Sequence, residues 1–401
     1  MPKTGLEHDN LYQKYERDAT GWKVLRNGFV HESDKIEKAV KLVGKDGLLR
    51  YDQSKIRVTL FGLGRIGTVW IERILRNPRL QLVYCVEPCV ERANYFEYMY
   101  NLKDVKMIHP NSQDEVFSDP DVDAVIIGTP TSSHEYLVLK SINSGKAVMC
   151  EKPLADKLES VDKIFKLAIQ RNLPFLTAMN RRFDPSFRSI RKRVKKGEIG
   201  KVHIIKTTHR DHPGHPASYL KGSAGIFLDS AIHDIDLVCW VIGEYPVTVI
   251  ASGSAFDEEI GAMGDYDTVV IVLKFPSGAM GTIDVTRSSA YGYDERLEVF
   301  GSLGMLTGPS VRPTYVTLDS ESGSTTVPYH YNHISRFAES YTNELEHFVD
   351  CIKGLKEVEV KPMEVMAATK IAQACKESAR TGRPFELTWK ESWSYSRNNE
   401  E

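Results

Sequence analysis

At 401 residues and a formal net charge of −2, the chain carries no global field that would draw it to nucleic acid or to an anionic membrane surface. A hydrophobic content of 41% is enough for the cores of two domains, and no apolar run reaches the length of a spanning helix. The N-terminus lacks the apolar core of a secretory signal and carries Glu7, Asp9 and Glu16, while six scattered cysteines read as free thiols of a cytoplasmic protein, without structural zinc or disulfides.

Residues 1–55 are polar and mixed in charge, an N-terminal extension in which Lys35 to Val43 has the spacing of one amphipathic helix. Residues 56–61 form a β-branched apolar strand that runs into Gly62-x-Gly64-x-x-Gly67, and helical spacing follows. A strand–glycine turn–helix aims backbone N–H groups and the positive helix end at a pyrophosphate, and the glycines permit close approach. Arg65 and Ile66 lie inside this turn and are counted with it. About 20 residues on, Glu87 ends the next strand, 81–86, where a carboxylate accepts from ribose hydroxyls and repels a 2′-phosphate. The cofactor reading is therefore NAD in preference to NADP.

Strands follow at about 106–108, 123–128, 147–150 and 174–179, alternating with helices near 66–76, 90–102, 132–144 and 156–171. That rhythm predicts a doubly wound parallel Rossmann sheet, a domain of residues 56–180. Ligands of such sheets bind beyond the carboxyl ends of the strands. Thr129, Pro130 and His134 occupy one such end. Glu151-Lys152-Pro153 occupies another, where Pro153 holds Lys152 extended. A lysine there either stabilises negative oxygen on a substrate or is a plain surface residue; the tripeptide alone does not decide. Arg181 and Arg182 stand at the end of the sixth strand. The basic helix 186–196 reads as a solvated face, without the interleaved aromatics of a nucleic-acid surface.

From residue 201 the pattern changes to long strands at 202–210, 246–256, 266–275, 279–289 and 295–301, with one helix over 226–242 and two more at 334–353 and 363–381. This predicts an α+β domain, residues 181–390, on a mostly antiparallel open sheet, with a polar tail at 391–401. Asp229 and His233 are i and i+4 on the predicted helix 226–242, so they share a face, and the carboxylate is expected to orient the imidazole as a general base. An ordinary surface Asp–His pair has the same spacing. His209, His212, His215, His233, Asp211 and Asp229 are of metal-ligand type, but no H-E-x-x-H or paired Cys/His spacing organises them, and no metal is expected.

Taken together, Gly62-Leu-Gly-Arg-Ile-Gly67, Glu151-Lys152-Pro153, Asn180-Arg181-Arg182-Phe183-Asp184, Asp229-x-x-x-His233 and Tyr291-Gly-Tyr293-Asp294-Glu-Arg296 make the chain resemble the glucose–fructose oxidoreductase and inositol dehydrogenase superfamily, most closely its inositol 2-dehydrogenase branch. The resemblance covers about residues 56–388. It implies an NAD(P)-dependent dehydrogenase of a cyclic polyol, with myo-inositol oxidised at C2, or of an aldose or other sugar. It implies Lys152, Asp229 and His233 as the catalytic set, Glu151 with Lys152 at the cofactor, and Arg181, His209, Asp211 and Tyr291 at the substrate, Tyr293 being the alternative to Tyr291. It also implies a homodimer or homotetramer formed through the C-terminal sheet. A dinucleotide-binding regulator without turnover would have kept the glycines and lost Lys152 or the Asp–His pair; this chain keeps all of them.

Overall fold

The computed structural model describes residues 15–18, 21–24 and 55–390, so the helix expected at 35–43 and the tail from 391 lie outside the described residues. Two compact units are present, residues 1–54 and 55–401. In the first, β1 (Tyr15–Asp18) and β2 (Gly21–Val24) pair antiparallel.

The second unit begins with a parallel sheet. Its strands are β3 (Ile56–Phe61), β4 (Leu80–Val86), β5 (Lys106–Ile108), β6 (Ala124–Ile127), β7 (Ala147–Glu151) and β8 (Phe175–Ala178), in the order β5-β4-β3-β6-β7-β8. The order reverses between β3 and β6, and the crevice at their carboxyl ends is where such sheets bind ligands. β6 is fully buried along its length, which explains its unbroken apolar run. The helices that cover the sheet are α1 (Arg65–Arg76), α2 (Val90–Tyr100), α3 (Asp114–Ser118), α4 (His134–Asn143) and α5 (Leu158–Arg171). The basic segment forms α6 (Pro185–Lys195), started by Pro185 and by the Asp184 carboxylate, which accepts from Ser186 N and Phe187 N.

The later strands are β9 (Val202–Arg210), β10 (Thr248–Ser254), β11 (Thr268–Lys274), β12 (Met280–Thr286), β13 (Asp294–Gly301), β14 (Gly304–Gly308), the hairpin β15 (Thr317–Ser320) and β16 (Gly323–Thr326), and β17 (Phe385–Glu386). Seven of them form a sheet ordered β14-β13-β9-β12-β11-β10-β17, antiparallel except for the parallel pair β9–β12. The helices of this half are α7 (Ala217–Lys221), α8 (Ile226–Asp229), α9 (Ile232–Ile242), α10 (Glu258–Ala262), α11 (His333–Arg336), α12 (Ala338–Ile352) and α13 (Pro362–Thr381). Alternation along β11 is strict, with Val269, Ile271 and Leu273 buried beneath exposed or half-buried neighbours.

Two expectations are corrected here. The helix foreseen over 226–242 is two helices, α8 and α9, interrupted at Ser230 and Ala231. The helix foreseen over 334–353 is α11 and α12, interrupted at Phe337.

The C-terminal helices return to the parallel sheet. On α12, Tyr341 packs edge-on against Trp70 of α1 at 5.5 Å, and Arg79 bonds Asp350 at 2.6 Å. On α13, Gln373 donates to the carbonyl of Asp156 at 2.9 Å. Apolar contact on that flank is worth about 25 cal/mol per Å² removed from water, so the two halves share one continuous core.

Candidate active site

A cavity of about 690 Å³ opens between the carboxyl edge of the parallel sheet and α8–α9. The glycine turn forms its floor. Gly62 has φ +87, and a Cβ there would come 2.8 Å from the carbonyl oxygen of Gly128, so the position admits only glycine. Gly67 does not face the cavity: a Cβ would meet the Gly62 carbonyl at 2.2 Å, which is the close packing of α1 on the turn. In front of Gly64, the N-cap of α1, there is open space, so the backbone donors of the helix end are accessible. Arg65 and Ile66 line the cavity beside it.

Glu87 is buried at the next strand end. One of its oxygens accepts from Leu63 N at 2.8 Å, and the other from Cys89 N and Arg92 Nη1, both at 3.0 Å. It thereby fixes the glycine turn and faces the same cavity. A turn open only to backbone donors, a fixed acceptor at the second strand end and a cavity joining them fit a dinucleotide.

Thr129 and Pro130 line the cavity, whereas His134 does not reach it. Its ring is buried between the carbonyls of Pro153 and Thr129, each 2.9 Å away, and so ties the two strand-end loops together. Burial lowers its pKa, and Lys152 adds to the effect. Glu151 accepts from the indole N–H of Trp70 at 3.0 Å. Burial pushes its carboxyl up to about 7, against the pull of Lys152.

Lys152 reaches across the crevice. Its ammonium donates to the backbone carbonyl of Asp229 at 2.6 Å and lies 3.5 Å from that residue's carboxylate. In an unbroken helix the Asp229 carbonyl would accept from His233 N. The interruption at Ser230 frees it for Lys152, and His233 N turns to the Ser230 carbonyl instead, at 3.3 Å. The Asp229 carboxylate accepts from Tyr219 Oη at 3.0 Å and Arg287 Nη1 at 3.1 Å. Burial works against its charge, but Lys152 and Arg287 outweigh burial and hold it well below the usual carboxylate range.

The expected Asp229–His233 pair is therefore absent, because lysine, tyrosine and arginine take the carboxylate. His233 lines the cavity with Nδ1 buried and unpartnered among the described residues. Burial drives its pKa well down, helped by Lys152 and Arg181, so the ring is neutral at physiological pH.

Arg181 is buried in an acidic nest. Nη1 lies 2.7 Å from Asp234, and Nη2 lies 2.8 Å from Glu295 and 3.1 Å from His209 Nδ1. The donor atoms of His209, Asp234 and Glu295 all fall within 4.8 Å of one another, and the guanidinium supplies the cation among them. Burial opposes the ionised form of Asp234, yet Arg181 and His209 bring its pKa to about 2; burial raises Glu295. His209 and Asp211 line the cavity. Tyr291 does not: it is 49% exposed, meets Tyr329 edge-on and bonds Asp294. Tyr293, the alternative to Tyr291, lines the cavity instead, buried at 2% exposure and 3.4 Å from Arg181. Gly292, at φ +108, turns the chain between the two.

Sequence reasoning missed Tyr219 and His333 at the cavity, Arg287 on the Asp229 carboxylate, and the role of Asp234. One signal was present. Charged Asp234 and Asp236 sit in an otherwise apolar stretch, which demands two buried cations, and consecutive Arg181 and Arg182 supply them.

Residues 56–178 match an oxidoreductase family with an NAD-binding Rossmann fold, and residues 187–307 match the GFO/IDH/MocA C-terminal domain. The chain is 37% identical to the myo-inositol 2-dehydrogenase of Thermotoga maritima over 83% of this chain and 98% of that one. It belongs to the GFO/IDH/MocA oxidoreductase family. The inositol 2-dehydrogenase of Rhizobium meliloti is 34% identical over 83% of this chain and 99% of its own. The crystal structure of a myo-inositol dehydrogenase from Corynebacterium glutamicum superposes with a TM-score of 0.77 at 35% identity, covering 84% of this chain and 100% of that one. A Lactobacillus casei scyllo-inositol dehydrogenase solved with NAD(H) and scyllo-inositol gives a TM-score of 0.77 at 27% identity, over 83% and 99% of the two chains. As a GFO/IDH/MocA oxidoreductase, the chain has NAD as its cofactor. Among the described residues no helix is long and apolar enough to cross a membrane.

Proposed function

We propose that the protein is an NAD-dependent inositol dehydrogenase that oxidises a secondary ring hydroxyl, foremost that of myo-inositol at C2. The observation that carries this reading is the Lys152–Asp229 bridge, which joins the cofactor wall to the second wall directly beside His233. The relatives at 34–37% identity support the substrate class.

Gly62, Gly64, Arg65, Ile66, Glu87, Thr129, Pro130 and Glu151 would hold NAD, which when bound supplies the hydride acceptor. His233, neutral and facing the crevice, takes the hydroxyl proton. Lys152 donates a hydrogen bond to the developing alkoxide oxygen, a preorganised charge in a site mostly shielded from water. Asp229 keeps Lys152 in place and does not titrate near neutrality. Arg181, His209, Asp211 and Tyr293 orient the polyol through its other hydroxyls, and fixing the ring supplies a large part of the rate.

We place the functional division at 56–180 for the cofactor and 181–390 for the substrate. The open face of the second sheet, with exposed Val270, Met280, Phe300 and Met305, suits a homodimer or homotetramer, and a monomer in sedimentation would refute that. Six free cysteines, five of them buried, agree with work in the cytoplasm.

The test follows NADH absorbance with inositol isomers and aldoses. Lys152→Ala and His233→Ala are expected to lose about 100-fold or more in kcat while NAD affinity is nearly retained. Full turnover in either variant would overturn the assignment.

A further inference from the structure

His333 belongs to none of the motifs singled out in the sequence and lies beyond both segments that match the family, 56–178 and 187–307. It nevertheless lines the active-site cavity. Its position is built rather than incidental. Asn332 caps the short helix α11 by accepting from Ser335 N, and the Ser335 hydroxyl returns the bond, closing a capping box. Three residues on, Arg336 is anchored to Asp184 by a buried ion pair at 2.8 Å. Phe337 is buried and packs edge-on against Tyr293 at 6.0 Å. The turn is thus held at both ends, and His333 is its polar side chain at the crevice, with the Phe337 ring beside it.

The ring of His333 stands 6.2 Å from that of Tyr293, edge to face. Its neighbouring charges are Asp211, Arg65, His215 and Lys152, and it is felt in turn by His233. It therefore shares the cavity with Lys152 and His233. No hydrogen-bond partner among the described residues takes either ring nitrogen. Burial pushes its pKa down to about 3, so at assay pH it is a neutral imidazole with one donor and one acceptor, both uncommitted. A half-buried polar ring held rigidly, without a protein partner, is suited to a ligand that both donates and accepts. A ring hydroxyl does both.

We propose that His333 is a substrate-contacting, specificity-determining residue whose imidazole hydrogen-bonds a ring hydroxyl away from the reacting carbon. The proposal rests on the polyol oxidoreductase reading above. A site built to bond a hydroxyl rejects an epimer that moves it, because its own polar group is then left unpaired. The segment outside the family match thus sets which stereoisomer fits, while Lys152 and His233 carry the chemistry.

Wild type, His333→Ala and His333→Gln are compared with myo-, scyllo- and D-chiro-inositol and with glucose, mannose and galactose, with NAD affinity from fluorescence titration and folding from thermal melts. His333→Ala is expected to lose roughly 10- to 100-fold in kcat/KM for the preferred isomer and much less for the poorer ones, so the ranking flattens. His333→Gln, which keeps a donor and an acceptor, should recover part of it, with NAD affinity and melting unchanged in both. An unchanged ranking, or an equal loss on every substrate together with lost NAD affinity, would overturn the proposal. A wild type that oxidises an aldose and no inositol would instead refute the proposed function, and the His333 comparison is then read on the three aldoses.

Discussion

Arg287 follows β12 and is buried, its side chain 2% exposed, bridging Asp229 at 3.1 Å and Asp265 at 3.0 Å. Asp265 also accepts from Ile226 N at 3.1 Å, so the arginine ties the start of α8 to its end. Replacing it with methionine keeps the bulk and removes the cation. Breaking a buried pair in this way costs about 3–5 kcal/mol, because the remaining charge is left uncompensated. The lower end applies, about 3 kcal/mol, since Lys152 and Tyr219 remain on Asp229 and Asp265 is 20% exposed. The sign for pH follows. Asp229 has a depressed folded-state pKa, so its ionisation stabilises the fold above the unfolded value of 3.8, and that contribution disappears as the pH falls through the folded value. Without Arg287 the folded value rises and the acid limb of kcat moves up in pH. The assay pairs urea unfolding midpoints with kcat–pH profiles at saturating NAD and polyol. Arg287→Lys, able to satisfy one carboxylate, should fall between methionine and wild type. If Arg287→Met kept both the wild-type midpoint and the wild-type acid limb, the bridge would have no part in holding Asp229.

Two glycines of one turn should respond oppositely to alanine. Gly67→Ala places a Cβ 2.2 Å from the Gly62 carbonyl and should destabilise the fold by more than about 2 kcal/mol, seen in melting. Gly64→Ala meets nothing within 4 Å, so it should fold normally and lose roughly tenfold in NAD affinity, since the methyl stands before the helix donors; equal effects at both positions would contradict the geometry. For acid stability, burial lowers the His215 pKa to about 4 from 6.5, so between those values the unfolded chain binds more protons and stability falls as the pH drops. From pH 7 to 5 the loss from this residue is about 2 kcal/mol, and His215→Gln should remove it; a urea midpoint that drops equally in both proteins would reject the assignment.

The parallel sheet was legible because its signals are local. Each strand is an apolar run, and the Gly62–Gly67 turn needs only its own residues to take shape. The break at Ser230 was hidden because Leu228, Ile232, Ile235 and Val238 keep helical spacing straight across it. What interrupts that helix lies far away in the chain: Lys152 claims the Asp229 carbonyl and Arg287 its carboxylate. Tyr291 and Tyr293 share a strand parity and could not be separated by pattern; the conformation of Gly292 and the bond from Tyr293 N to the His330 carbonyl separate them. His333 carried no motif, and only the fold brings it to Lys152.

The return of α12 to the parallel sheet has a consequence for how the protein is made. Asn77 meets Glu346 across 269 positions of chain, and Arg79 meets Asp350 across 271. A ribosome delivers residues in order, at about 5–20 per second. For on the order of ten seconds or more at such rates, the first sheet therefore exists with the face of Trp70 uncovered and Glu151 beside it, until Tyr341 emerges to close the wall. The cavity wall beside Glu151 is thus closed by Tyr341, from the last quarter of the chain, and not by the segment that carries the glycines.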